Sequence, residues 1–235
     1  MQLRRYPEPE AAGVAAAACV GRVLRTATTA RGRCSLALSG GRTASFLLDE
    51  LARQPLPWHA LTVFQVDERV APRGESSRNL TELWTRLLAC SPPDWAGLRA
   101  MPVELSLPRA AAVYAEQLER AAGRPPVLDV VHLGLGVDGH TASLVPGDPV
   151  LAAVNDVAVT GLYRGHPRVT LTYPCLARAR HRVWLVTGAE KAAVLAALVR
   201  GDLRLPASRL AGLEDICYLD EAAAAALTND DLDDP

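Results

Sequence analysis

The sequence predicts one α/β domain, spanning residues 1–235, built on a mostly parallel sheet with helices on both faces. Three observations carry this. Short apolar runs alternate with helix-patterned stretches along the whole chain, as in successive βαβ units. The run VLDVVHL (127–133) is almost continuously apolar, the pattern of a strand covered on both sides. And 235 residues at 49% hydrophobic content suit one large core better than two small ones.

In order, residues 10–28 read as a helix, with Pro9 at its start and Glu8 and Glu10 where the helix dipole favours acids. Residues 33–38 (RCSLAL) form a short buried strand ending at Ser39-Gly40-Gly41. A helix follows at about 43–53, stopped by Pro55 and Pro57. WHALTVFQV (58–66) is the next strand and delivers Asp67, Glu68 and Arg69 into a loop. Pro72 and Gly74 then lead to a helix at about 79–89. Residues 91–107 carry no pattern, and 108–122 form an amphipathic helix. Strand 127–133 runs into the glycine-rich stretch 134–147. Strands are expected at 155–161, 168–173, 181–187 and 214–219, with helices at about 189–200 and 207–211. The acidic tail TNDDLDDP (228–235) is expected to fray.

Composition excludes several classes. A formal net charge of −1 argues against nucleic acid or an acidic membrane surface as partner. No run approaches the roughly 18 apolar residues of a membrane span. Residues 11–21 follow Arg4 and Arg5 like a leader peptide, but Pro7, Glu8, Pro9 and Glu10 intervene, so they read as helix. Cys19, Cys34, Cys90, Cys175 and Cys217 are odd in number and form no CxxC. That fits neither a disulfide framework nor a zinc cluster, and the expectation is packed thiols in a cytoplasmic protein. No metal and no cofactor is expected.

In such folds ligands bind beyond the carboxyl ends of the strands, and the chemistry-bearing residues lie there. In LALSGGRTA (36–44), Gly40 and Gly41 let the backbone approach an anion, which Ser39, Thr43 and helix amides can bind; an ordinary tight turn is the alternative. Asp67 and Arg69 can position a sugar hydroxyl or an anion, or simply form a local ion pair. GLGVDG (134–139) matches the dinucleotide pattern GxGxxG, yet Pro146 and Gly147 leave no room for the long helix that pattern requires. It reads better as a glycine loop presenting Asp138 and His140, with a helical turn at Thr-Ala-Ser after the histidine. His140 can act as base and then acid, with Asp138 or Asp67 assisting it. His132 is expected to face the packing layers. Lys191 is the single lysine among 25 basic residues and sits in a first helical turn, where the dipole disfavours it. With Arg168 it points to phosphate binding rather than to a solvated surface. No GxSxG elbow supports a serine hydrolase.

These motifs, with DERVAP, Ser77, Asn79, MPVELS, LGLGVDGHTASLVPG, RVTLTYPCL and VTGAEKAAVL, resemble the 6-phosphogluconolactonases through nearly the whole chain. That family shares a superfamily with the glucosamine-6-phosphate deaminases. The resemblance implies a Rossmann-like sheet and an enzyme of the oxidative pentose phosphate pathway that opens 6-phospho-D-glucono-1,5-lactone to 6-phosphogluconate. It implies that His140 is the general base, that the phosphate lies on the glycine turn, Arg168 and Lys191, and that Arg69 is at the active site. Ala44 replaces the family's proline and Val145 its phenylalanine. Deaminases resemble this loop but carry a glutamate at position 145, where a valine cannot transfer protons. A non-catalytic sugar-phosphate sensor is the other alternative, although the chain shows no DNA-binding appendage. The expected partner is a small phosphorylated sugar lactone, with the protein a monomer or weak homodimer.

Overall fold

The computed structural model describes residues 1–228 and 231. Its centre is a seven-stranded sheet of β1 (Gln2–Tyr6), β2 (Cys34–Leu38), β3 (Leu61–Gln65), β5 (Leu98–Arg99), β6 (Val130–Leu133), β9 (His181–Val186) and β10 (Ile216–Asp220). The order is β1-β10-β9-β6-β2-β3-β5, and every neighbouring pair is parallel. Side chains alternate across it. Leu36, Val63, Val130, Val183 and Leu185 pack with α1 (Pro9–Arg31), α2 (Arg42–Ala52) and α3 (Asn79–Arg86) on one face. Ala37, Phe64, Val131, Leu133, Trp184 and Leu219 pack on the other, with α4 (Leu107–Ala122), α5 (Tyr173–Ala177), α6 (Ala192–Val199) and α7 (Glu221–Ala224). The two cores make this the α/β architecture expected.

A second, three-stranded antiparallel sheet comprises β4 (Asp67–Arg69), β8 (Arg168–Leu171) and β7 (Val157–Val159), in the order β4-β8-β7. Asp67–Arg69 is therefore a strand rather than a loop, and the predicted strands at 155–161 and 168–173 do not join the main sheet. Too few residues separate β7 from β8 for the crossover that parallel pairing needs, so they form a hairpin. β1 also escapes sequence reading. It is an edge strand, where Arg4 and Arg5 are tolerated and no apolar run is required. The patternless stretch 91–107 contains the two-residue β5.

Helix α1 runs to Arg31, beyond the predicted residue 28, and stops at Gly32 in the left-handed conformation (φ 68°). Four cysteines are buried as expected, but Cys90 is exposed, because the helical turn Leu88–Cys90 ends on the surface. The predicted frayed tail lies largely outside the described residues. Within them, Asp231 accepts hydrogen bonds from Thr228 and pairs with Arg200. Among the described residues no helix is long and apolar enough to cross a membrane.

Candidate active site

The carboxyl ends of β2, β6 and β9 open into a cleft of about 1430 Å³. Ser39, Gly40, Gly41, Thr43, Asp67, Arg69, His140, Arg168 and Lys191 all line it, while Asp138 stands directly behind His140. Among the described residues no group of three His, Cys, Asp or Glu side chains is arranged to hold a metal ion.

The glycine loop after β6 sets the histidine. Gly136 donates its amide to the His140 carbonyl at 2.8 Å, closing the loop, and Gly139 takes φ 81°. A Cβ on Gly136 would fall 2.0 Å from His140 Nδ1, so only glycine lets the ring lie against the backbone. The segment after His140 is not the helical turn expected. Thr141 and Leu144 bridge across a tight turn in which Ala142 takes φ 52°, a conformation that costs a non-glycine residue on the order of 1 kcal/mol.

His140 Nδ1 lies 2.5 Å from Asp138 Oδ1. An ionised carboxylate can only accept, so in the neutral imidazole the proton sits on Nδ1 and the Nε2 lone pair is left available. Burial pushes the Asp138 carboxyl up, but the hydrogen bonds from His140 and Tyr163 hold it well below the usual carboxylate range. Asp67, the other candidate, does not touch the ring. It accepts from Ser143 Oγ at 2.5 Å and Asn79 Nδ2 at 3.1 Å, and lies 3.7 Å from Arg168. His132 is buried in β6 as expected. Neither of its ring nitrogens has a partner among the described residues, and burial lowers its pKa to about 4.

The cationic side is equally specific. Arg168 is buried, with Nη1 3.4 Å from Ser143 Oγ and Nε without a partner among the described residues. Burial lowers its pKa, and Asp67 opposes that shift. Arg69 donates from Nη1 to the Ser77 carbonyl at 2.8 Å, and its Nε is likewise unpartnered. Lys191 Nζ donates to the Leu135 carbonyl at 2.6 Å, which holds the ammonium beside the glycine loop; burial lowers its pKa, against Glu190. Ser39 and Thr43 are less free than the sequence implies. Ser39 Oγ donates to the His132 carbonyl at 2.9 Å, and Thr43 Oγ1 lies 3.1 Å from Thr187 Oγ1. Gly41 donates its amide to Glu82 at 2.8 Å.

A family model described as glucosamine-6-phosphate isomerases/6-phosphogluconolactonase matches residues 7–217. The chain belongs to this family. The 6-phosphogluconolactonase of a Synechocystis species is 39% identical over 181 residues, covering 74% of each chain. That of Streptomyces coelicolor is 33% identical over 245 residues, covering 96% of this chain and 94% of the relative. The solved 6-phosphogluconolactonase of Trypanosoma cruzi matches with TM-score 0.83 at 26% identity, covering 97% of both chains. A monomeric glucosamine-6-phosphate deaminase matches equally well, TM-score 0.83, at 17% identity, covering 97% of this chain and 100% of its own, which is a likeness of fold alone.

Several residues in and around this family member's cleft have roles that the sequence does not reveal. Glu68 of the DER triplet turns away from the cleft, fully buried, where it caps α3 by accepting from the amides of Asn79 and Leu80 and pairs with Arg78. Tyr163 and Arg164 reach the site from a hairpin, and the only local signal was the Arg-Gly pair of a tight turn. Glu82 and Ser143 carry no local signal; only long-range packing brings them in.

Proposed function

We propose that this chain hydrolyses 6-phospho-D-glucono-1,5-lactone to 6-phospho-D-gluconate, with His140 as general base. The observation that carries the reading is the Asp138–His140 pair, which leaves Nε2 free in the cleft that also holds Arg168 and Lys191. The names of the relatives support the same activity. The phosphate is anchored by Arg168, Lys191 and the amides that open α2, remote from the reacting carbon. His140 Nε2 takes a proton from water as its oxygen attacks the lactone carbonyl. The resulting oxyanion is stabilised by backbone N–H groups. As it collapses, the bond from C1 to the ring oxygen breaks and His140 returns the proton to that oxygen. Arg69 and Asp67 orient substrate hydroxyls, and no metal or cofactor takes part in these steps.

The deaminase reading fares worse at position 145. A second proton-transfer group is needed there, and the side chain is Val145, buried and apolar. The test is lactone hydrolysis on freshly generated substrate, corrected for uncatalysed opening. His140→Ala lowers kcat about 10²–10⁴-fold while leaving binding of 6-phosphogluconate intact. Turnover of His140→Ala at the wild-type rate overturns the base assignment. Binding without any wild-type turnover favours a sensor, and ammonia release from glucosamine 6-phosphate favours the deaminase.

A further inference from the structure

Tyr163 stands where the two halves of the cleft meet. Its hydroxyl donates to Asp138 Oδ2 at 2.8 Å, the oxygen that His140 does not use. Its ring meets the His140 ring edge-on, with centroids 5.3 Å apart at 68°. Over the same ring lie the guanidinium of Arg168 at 5.0 Å and that of Arg164 at 5.2 Å. One side chain thus touches the carboxylate behind the base, the base itself and two cations, one of them the proposed phosphate anchor.

The hairpin holds Tyr163 in that place. Tyr163 and His166 exchange backbone hydrogen bonds of 3.1 and 3.3 Å. Between them Arg164 and Gly165 take φ 50° and 83°, the positive pair that a two-residue hairpin turn requires. His166 Nδ1 then donates to the Val70 carbonyl at 3.0 Å, pinning the turn to the chain just after β4. A carboxylate held through one oxygen alone can rotate about its own bond, and holding the second oxygen removes that freedom.

We infer that Tyr163 is a positioning residue: its hydroxyl locks Asp138 against His140, and its ring holds Arg168 and Arg164 in place for the phosphate. This rests on the reading of His140 as the base. The hydroxyl acts on turnover through Asp138, and the ring acts on binding.

Steady-state kinetics on the full chain separate these effects. Tyr163→Phe keeps the ring and removes the hydroxyl, and its kcat falls about tenfold, with KM within about twofold of wild type. In the Asp138→Asn background the same substitution has no further effect on kcat. Tyr163→Leu removes the ring as well, and KM then rises about fivefold. A kcat for Tyr163→Phe within twofold of wild type overturns the inference, as does an undiminished loss in the Asp138→Asn background. His140→Ala is measured alongside. If it is inactive while Tyr163→Phe is unimpaired, this inference alone fails; if it is fully active, the base assignment beneath it fails.

Discussion

The carboxylate of Glu82 accepts the Gly41 amide at 2.8 Å, so an acid from α3 occupies the glycine turn at the mouth of the cleft. That turn offers amides of the kind that bind anions. A phosphate dianion arriving there meets a negative charge. At roughly 5 Å and a water-like dielectric of about 80, suited to the open mouth of a cleft, each phosphate charge is opposed by on the order of 1 kcal/mol. Glu82→Gln keeps the shape and removes the charge, so KM for the phosphorylated lactone falls about fivefold at low salt, with kcat unchanged. A KM equal to or above wild type shows that the carboxylate does not oppose the phosphate.

Gly136→Ala tests the approach of the ring to its loop. The added methyl lies 2.0 Å from His140 Nδ1 and 2.6 Å from Asp138 Oδ1, so the pair must move. A displacement near 1 Å costs about 10²-fold in turnover. Kinetics together with a thermal melt give the answer: a large fall in kcat at near-native melting temperature is expected, and an active Gly136→Ala enzyme means that the dyad tolerates the shift.

Lys191→Met removes the ammonium that Leu135 holds beside the glycine loop. With Lys191 as the proposed phosphate anchor, remote from the bond that breaks, KM rises about tenfold or more while kcat changes little. Lys191→Arg restores binding incompletely, because a planar guanidinium does not replace a compact ammonium. Equilibrium binding of 6-phosphogluconate reports the same loss without turnover, and unaltered binding in Lys191→Met removes this residue from the phosphate site.

His132 makes the fold sensitive to acid. It is buried with a pKa near 4, against 6.5 for an exposed imidazole. Between those values the unfolded chain binds a proton that the folded one refuses, so stability is full above about pH 6.5 and falls as pH drops toward 4. From pH 7 to pH 5 this one group removes about 2 kcal/mol. Urea unfolding of His132→Leu at both pH values shows a correspondingly smaller loss. An identical pH dependence in the two proteins means that another group governs acid unfolding.

Most of the fold and much of the cleft was legible locally. The glycine turn after β2, the loop before His140 and the lone lysine each lie at the carboxyl end of a strand whose apolar run announces it. The misreadings share a cause. β1 has no apolar run because an edge strand needs none, and the turn at Ala142 contains no glycine to mark it. Ser39 has the right chemistry for an anion, yet its hydroxyl is engaged by His132 across the sheet, a contact that no local pattern encodes.

What the sequence determined by itself is therefore short-range: which stretches are strands or helices, and which polar residues lie at their ends. Side-chain periodicity and turn chemistry act over a few residues and can be read there. Only the tertiary structure decided the partners. Asp138 rather than Asp67 holds His140, Ser143 meets an aspartate 76 positions away, and Tyr163 closes on Asp138 from 25 positions downstream. The last two contacts depend on how β4, β7 and β8 pair into a separate antiparallel sheet, and strand pairing is settled by packing across the whole domain.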